Sequence, residues 1–370
     1  MNEADEGSCS DTVASERVGK RPASSVLPRV SEILRPPVES NCIPFSAGNH
    51  DSNYLPKMPF PTEISLPQIL SQSWKVQTAY NPSTIITYNL ALGSAGTDLP
   101  LVFEGHPVFH ALPTFGTLPV IAAMGAVTRS MPDFLPNFQP HNHVHGEHYL
   151  ELRRPFPMPA AGGEVVLETE ARVLDVVERR SGVTVCVSIT SSIQGNGEVV
   201  CYNEWTSFIM EVPGRGAAKE ATNSRSSRAK PRSIPERPPD MVLEQQTTPE
   251  QAALYRAASG DLNPLHIDPE TAKRGGFDGP ILTGTCTLGM GARHVLDAFA
   301  GGDASRFRSV KVRLSKPVFP GEIVRTEMWL VDDEAGSQVV VYRQCVGERV
   351  VMRGGVCELS GRDAARSARL

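Results

Sequence analysis

The sequence predicts an α+β fold made of two copies of one unit, a buried helix followed by strands joined in hairpins. An internal repeat carries this reading first: Arg154-Pro155-Phe156-Pro157 with Gly163-Glu164-Val165-Val166 parallels Lys316-Pro317-Val318-Phe319-Pro320-Gly321-Glu322-Ile323-Val324. Recurrence at this scale marks duplicated supersecondary units. Each copy is also preceded by an apolar helix-like run and followed by apolar segments broken by Gly or Pro, the pattern of strands and hairpins.

Taken in order, residues 1–58 are rich in Ser, Pro, Glu and Arg without periodicity, which predicts a flexible segment; its early acids argue against a mitochondrial presequence. Residues 59–213 form the first unit. Its buried helix is expected over Thr117 to Thr128, after Pro113-Thr114-Phe115-Gly116. Strands are expected over Val183 to Ile189, after the turn Arg180-Ser181-Gly182, and over Val199 to Phe208, after Gly195-Asn196-Gly197. Residues 214–239 read as a linker, because Gly214-Arg215-Gly216, Ser224-Arg225-Ser226-Ser227-Arg228 and Pro238-Pro239 are unsuited to packing. The second unit covers residues 240–362. It opens with a helix over Gln251 to Ala258, ended by Gly260, which accepts a left-handed backbone. A buried helix follows over Thr285 to Phe299, with Gly284 at its N-terminal end. Strands then run over Val310 to Leu314, Ile323 to Val331, Gln338 to Cys345 and Val350 to Leu359, with breaks at Pro320-Gly321, Glu334-Ala335-Gly336 and Gly347.

Composition agrees with this layout. At 370 residues and 40% apolar the chain can bury two domain-sized cores. No apolar run reaches the ~18 residues of a membrane span, and a net charge of −5 favours neither nucleic acid nor an anionic membrane surface. The seven cysteines form no Cys-x-x-Cys pair; Cys186, Cys201, Cys286, Cys345 and Cys357 fall in strand or helix patterns, where free thiols pack as small hydrophobes in a reducing compartment.

The richest stretch is Ser259-Gly260-Asp261-Leu262-Asn263-Pro264-Leu265-His266-Ile267-Asp268. It sets a carboxylate and an imidazole five residues apart on a loop after a helix, and Pro264 stiffens that loop. Such a pair is suited to moving protons around one water. The same residues also make ordinary turns, and Asp268 can cap a helix over Pro269-Glu270-Thr271-Ala272-Lys273. Downstream, the free backbone N–H groups at Gly284 can hold an oxyanion.

Tyr255, Ser259-Gly260-Asp261, Asn263-Pro264-Leu265-His266, Phe277 and Pro280-Ile281-Leu282 followed by Gly284 resemble the hydratase 2 motif of the MaoC-like, (R)-specific 2-enoyl-CoA hydratases. Ala111-Leu112-Pro113-Thr114-Phe115-Gly116 and His145-Gly146-Glu147-His148-Tyr149-Leu150-Glu151-Leu152 resemble the non-catalytic half of the hydratase unit in peroxisomal multifunctional enzymes of type 2. The likeness covers about residues 60 to 360.

The resemblance implies a double hotdog, two long helices each wrapped by an antiparallel sheet, with the acyl tail held by the first half and the chemistry done by the second. It implies hydration of a trans-2-enoyl-CoA to a (3R)-3-hydroxyacyl-CoA, or the reverse dehydration, with no metal or other cofactor. Asp261 and His266 would hold the water, Asn263 would orient it, and the Gly284 N–H would bind the thioester oxygen. Thr283, His145, Glu104, Tyr255 and Asp268 would contact substrate. An acyl-CoA partner, a homodimer and the peroxisome are implied, with cytoplasm as the alternative place. Ala368-Arg369-Leu370 resembles the Ser-Lys-Leu address read by the peroxisomal import receptor.

One departure and one asymmetry bear on these expectations. Relatives usually carry His before the oxyanion glycine, whereas this chain has Thr283, which donates a hydrogen bond but no imidazole charge. That points toward a polyketide-type or branched enoyl thioester as an alternative substrate. No Asp-x-Asn-Pro-x-His precedes the first-half helix, so one active site per chain is expected. A hotdog thioesterase and a silent acyl-thioester binding subunit remain as alternatives on the same fold.

Overall fold

The computed structural model describes residues 61–160, 162–212, 232–334 and 336–361. The expected flexible segment, residues 214–231 of the linker, and the tail from residue 363 with Ala368-Arg369-Leu370 lie outside these residues.

The first copy runs α1 (Leu66–Leu70), β1 (Ser73–Tyr80), α2 (Pro82–Ala91), α3 (Leu99–Val102), α4 (Leu118–Ser130), β2 (His143–Leu152), β3 (Val165–Arg179), β4 (Gly182–Ile193) and β5 (Val199–Met210). The second runs β6 (Met241–Gln246), α5 (Gln251–Ser259), α6 (Pro269–Arg274), α7 (Gly284–Ala300), β7 (Phe307–Leu314), β8 (Ile323–Glu334), β9 (Ser337–Val346) and β10 (Arg349–Ser360). All the strands join one 10-stranded sheet in the order β1-β3-β4-β5-β2-β7-β10-β9-β8-β6. Every neighbouring pair is antiparallel. Read inward from either edge the order repeats: 1-3-4-5-2 on one side, 6-8-9-10-7 on the other. The copies meet where β2 pairs with β7, with Glu147 opposite Arg313 and Leu150 opposite Val310. The fold is a double hotdog.

One feature differs from the sequence expectation of helix first and strands after. A strand precedes the helices in each copy, β1 in the first and β6 in the second. Both are edge strands whose outer row of backbone groups meets no partner strand among the described residues, and their alternation is half exposed. Ser73-Trp74-Lys75-Val76-Gln77-Thr78 therefore carries no apolar run to read. The helix α2 was likewise unread, although Asn81 and Thr84 form a capping box ahead of it and Pro82 opens its first turn.

Burial explains how the helices sit. All residues of α7 from Thr285 to Ala292 are buried, so the sheet encloses that half of the helix. One apolar cluster draws on both copies, joining Tyr88, Phe115 and Leu150 of the first to Tyr255, Leu288 and Val310 of the second. A separate cluster under α4, with Val127, Met131 and Val185, belongs to the first copy alone. The last linker residues are docked, contrary to expectation. Ile234 packs near Trp329, the Trp329 Nε1–H donates to the Arg237 carbonyl at 2.8 Å, and Arg237 pairs with Asp240. No described helix is long and apolar enough to cross a membrane.

Candidate active site

Helix α5 ends at Ser259 because Gly260 takes the left-handed conformation, φ 69°, with its N–H bonded to the Arg256 carbonyl. The chain then turns sharply into the Asp261–His266 loop. The Asp261 Oδ1 accepts the Asn263 N–H at 3.0 Å, an Asx turn that fixes the carboxylate over its own backbone. The Asn263 Oδ1 accepts the Leu265 N–H at 3.1 Å and starts a 3₁₀ turn over Pro264–His266. That turn swings His266 inward, where it is buried.

The two ring nitrogens of His266 have different tasks. Nδ1 lies 2.8 Å from the Ile281 carbonyl oxygen, which can only accept, so Nδ1 carries the proton. Nε2 faces the Asp261 Oδ2 at 3.5 Å. In the neutral ring both facing atoms are acceptors, and 3.5 Å is longer than a direct hydrogen bond. One water with protons directed at both satisfies the pair, and either atom can draw a proton from it. The side chains keep 13% and 10% of their surface exposed, enough for a reactant to reach them but little for bulk water.

Gly284 opens α7, a 17-residue helix, so its first-turn amide has no intrahelical acceptor and lies at the positive end of the helix dipole. Its lack of a side chain has a packing cause too: a Cβ there would overlap the Leu314 Cδ2. Thr283 precedes it and is buried at the N-cap position.

The first copy borders this end of the site through His145. A Cβ on Gly284 would lie 3.9 Å from the His145 Nδ1. The His145 ring stacks on Trp205, centroids 3.3 Å apart and planes 6° from parallel. Its Nε2 is buried and meets no hydrogen-bond partner among the described residues. Burial, followed by the neighbouring His148 and His143, holds its pKa well below the usual range, so the ring is neutral.

The remaining candidates separate. Tyr255 is fully buried; its hydroxyl donates to the Thr285 Oγ1 at 2.9 Å and lies 3.2 Å from the Thr117 Oγ1. It therefore ties the start of α7 to the residue preceding α4. Asp268 spends its carboxylate capping α6, accepting the Glu270 and Thr271 N–H groups and the Thr271 hydroxyl. Glu104 stands exposed on the turn after α3. Asn263, expected to orient the water or the catalytic pair through its amide, accepts the Leu265 N–H with its Oδ1.

Sequence reasoning missed Arg256 and Trp205. Arg256 lies one residue after the motif tyrosine and donates to the loop; its only sequence signal is its place on α5, four residues before Gly260. Trp205 lies on β5 opposite His148 of β2, a pairing no local pattern displays. Among the described residues no group of three or more His, Cys, Asp or Glu is placed to hold a metal ion.

A paired sheet wrapped around long helices, with an acid and an imidazole on the loop that precedes one of them, defines the double-hotdog class. Comparison with known proteins narrows this. A MaoC-like domain matches residues 230–352, and an MFE-2 hydratase 2 N-terminal domain matches residues 79–211. The probable enoyl-CoA hydratase 2 of Dictyostelium discoideum is 36% identical over 67% of this chain and 81% of its own length. The peroxisomal multifunctional enzyme type 2 of Mus musculus is 41% identical over 72% of this chain, which spans only 35% of that enzyme. The crystal structure of a MaoC-like dehydratase from Phytophthora capsici superposes with a TM-score of 0.67 at 31% identity, covering 80% of this chain and 99% of that one. The chain belongs to the MaoC-like hydratase 2 family.

Proposed function

We propose that this chain adds water across the double bond of a trans-2-enoyl-CoA to give a (3R)-3-hydroxyacyl-CoA, and runs the reverse dehydration. The observation that carries the reading is the pairing of two acceptors, His266 Nε2 and Asp261 Oδ2, 3.5 Å apart, with the His266 ring anchored to the Ile281 carbonyl shortly before the chain enters the helix that Gly284 opens. The water between them loses a proton to one as its oxygen bonds to C3. The π electrons of the double bond shift toward the thioester, whose oxygen gains negative charge, and a proton is returned to C2. In this reading the Gly284 amide, at the positive end of the helix, receives that charge; one donor of this kind contributes about 3 kcal/mol to the transition state. The family names of the Dictyostelium and mouse relatives support the same chemistry.

His145 of the first copy would border the thioester end, and the rest of that copy would house the acyl tail. A homodimer and a peroxisomal place are part of the proposal; the mouse relative is named for that organelle.

The test is the loss of enoyl-thioester ultraviolet absorbance with purified protein and a panel of trans-2-enoyl-CoAs, with the product resolved by chirality. Turnover to the 3R product supports the proposal. Release of free CoA with the double bond intact would identify a thioesterase instead, and stoichiometric binding without turnover would identify a silent binding subunit.

A further inference from the structure

We propose that Arg256 is a positioning residue that holds the Asp261–His266 loop in its reactive geometry, an inference that rests on the hydratase reading of that pair. From the last turn of α5, its Nη1 donates to the Asp261 carbonyl at 2.6 Å and to the Asn263 carbonyl at 3.3 Å. These two carbonyls flank Leu262, so one guanidinium spans the turn that follows Gly260.

The consequence for the carboxylate is geometric. The Asp261 side chain is fixed to the Asn263 N–H at 3.0 Å, so the direction of Oδ2 toward His266 depends on how the Asp261 and Asn263 peptides are oriented. Arg256 sets both orientations from outside the loop. The Asn263 Oδ1 then positions Leu265, and the turn delivers His266 against Ile281. Leu262, the residue between the clamped carbonyls, is 69% exposed, so core packing does not hold this turn. The clamp supplies the rigidity that packing does not.

A guanidinium suits the task better than an ammonium. It is always charged, and its planar fork offers several donors in fixed directions, so it can serve two carbonyls at once. Lysine has three donors but carries them on a flexible stem with no planar group to fix their direction, so it would hold the two carbonyls less rigidly. Arg256 is half-buried, so its removal opens no large cavity.

The experiment compares Arg256→Ala, Arg256→Lys and wild type by steady-state kinetics on an enoyl-CoA and by amide hydrogen exchange at Asn263 and Leu265. Exchange reads the clamp without any assumption about turnover. The expected result is faster exchange at both amides in Arg256→Ala, kcat lowered roughly thirty- to a hundredfold with KM within about twofold, and partial recovery in Arg256→Lys. Ethylguanidinium added to Arg256→Ala is expected to restore part of kcat and part of the protection. Should Arg256→Ala not fold, Arg256→Lys alone decides, with the same split at smaller amplitude. Unchanged exchange in a folded variant overturns the proposal, and a rise in KM with kcat intact would make Arg256 a substrate contact instead. A wild-type protein without turnover, but with faster exchange in the variant, would refute the hydratase reading and leave the clamp standing.

Discussion

The two copies cross from the helix that follows their edge strand to their buried helix through segments of similar placement, residues 92–117 after α2 and residues 260–283 after α5. The first loop is pinned by Asn89, fully buried, which donates to the Leu101 and His110 carbonyls and accepts the Leu112 N–H at 2.8, 3.0 and 3.0 Å. The second is pinned by His266 at Ile281 and by Arg256 at Asp261 and Asn263. Holding a loop against a buried helix requires donors and acceptors in either case. An amide spends its groups on the task and has no proton to exchange. An imidazole spends one nitrogen and leaves the other for chemistry. In the proposed reading, the asymmetry between a binding half and a reacting half comes down to which side chain closes the corresponding segment.

Breaking the reacting half should cost the most. Asp261→Asn and His266→Ala are each expected to fold and to lose about a thousandfold or more in kcat, measured by the absorbance assay alongside circular dichroism. Normal turnover in either would place the chemistry elsewhere.

Gly284→Ala is next. The new methyl overlaps Leu314, so stability should fall by about 1–3 kcal/mol in denaturant unfolding, and kcat by about a hundredfold as the amide shifts. Adding Leu314→Ala sharpens the comparison. Recovery of stability with kcat still low assigns the glycine to the oxyanion; recovery of both makes it a packing device only.

A third expectation concerns the first copy. Burial lowers the His148 pKa from 6.5 to about 4, outweighing its hydrogen bond to Asn203. The folded state resists a proton that the unfolded chain accepts, so stability is fully present above pH 6.5 and falls as pH drops toward 4, by about 3 kcal/mol for a shift of this size. His143 and His294 shift the same way and add to the slope. Unfolding midpoints from pH 7 to 4 should show this loss, and His148→Gln should flatten its share. An unchanged slope would mean that His148 takes up its proton in the fold.

Thr283→His should have the smallest effect, a change of a few-fold in turnover. Improved rates on straight-chain enoyl-CoAs would tie Thr283 to substrate choice, whereas no change on any substrate would make it incidental.

The reacting loop was legible in sequence because its parts are local: Gly260 ends a helix, Pro264 stiffens a turn, and Asp261 and His266 are five residues apart. The duplication was legible through its turn residues and the apolar strands of the sheet interior. What stayed hidden depends on distant partners. The edge strands β1 and β6 alternate polar and apolar residues and gain their identity only by pairing with β3 and β8. The residues near Gly284 come from β2 and β7, and Tyr255 binds a threonine 138 positions before it and another 30 after it. Asp268 shows the converse: the local reading offered a helix cap and the family resemblance a substrate contact, and its carboxylate caps α6.

The most direct test of a single Asp261–His266 pair serving both proton movements is the hydration of an enoyl-CoA in D₂O, with the configuration at C2 of the 3R product read by NMR. A pair that holds one water on one face delivers oxygen and deuteron to the same face, so syn addition is the expected result. Anti addition, or a mixture at C2, would require a second proton donor across the double bond and would contradict the assignment.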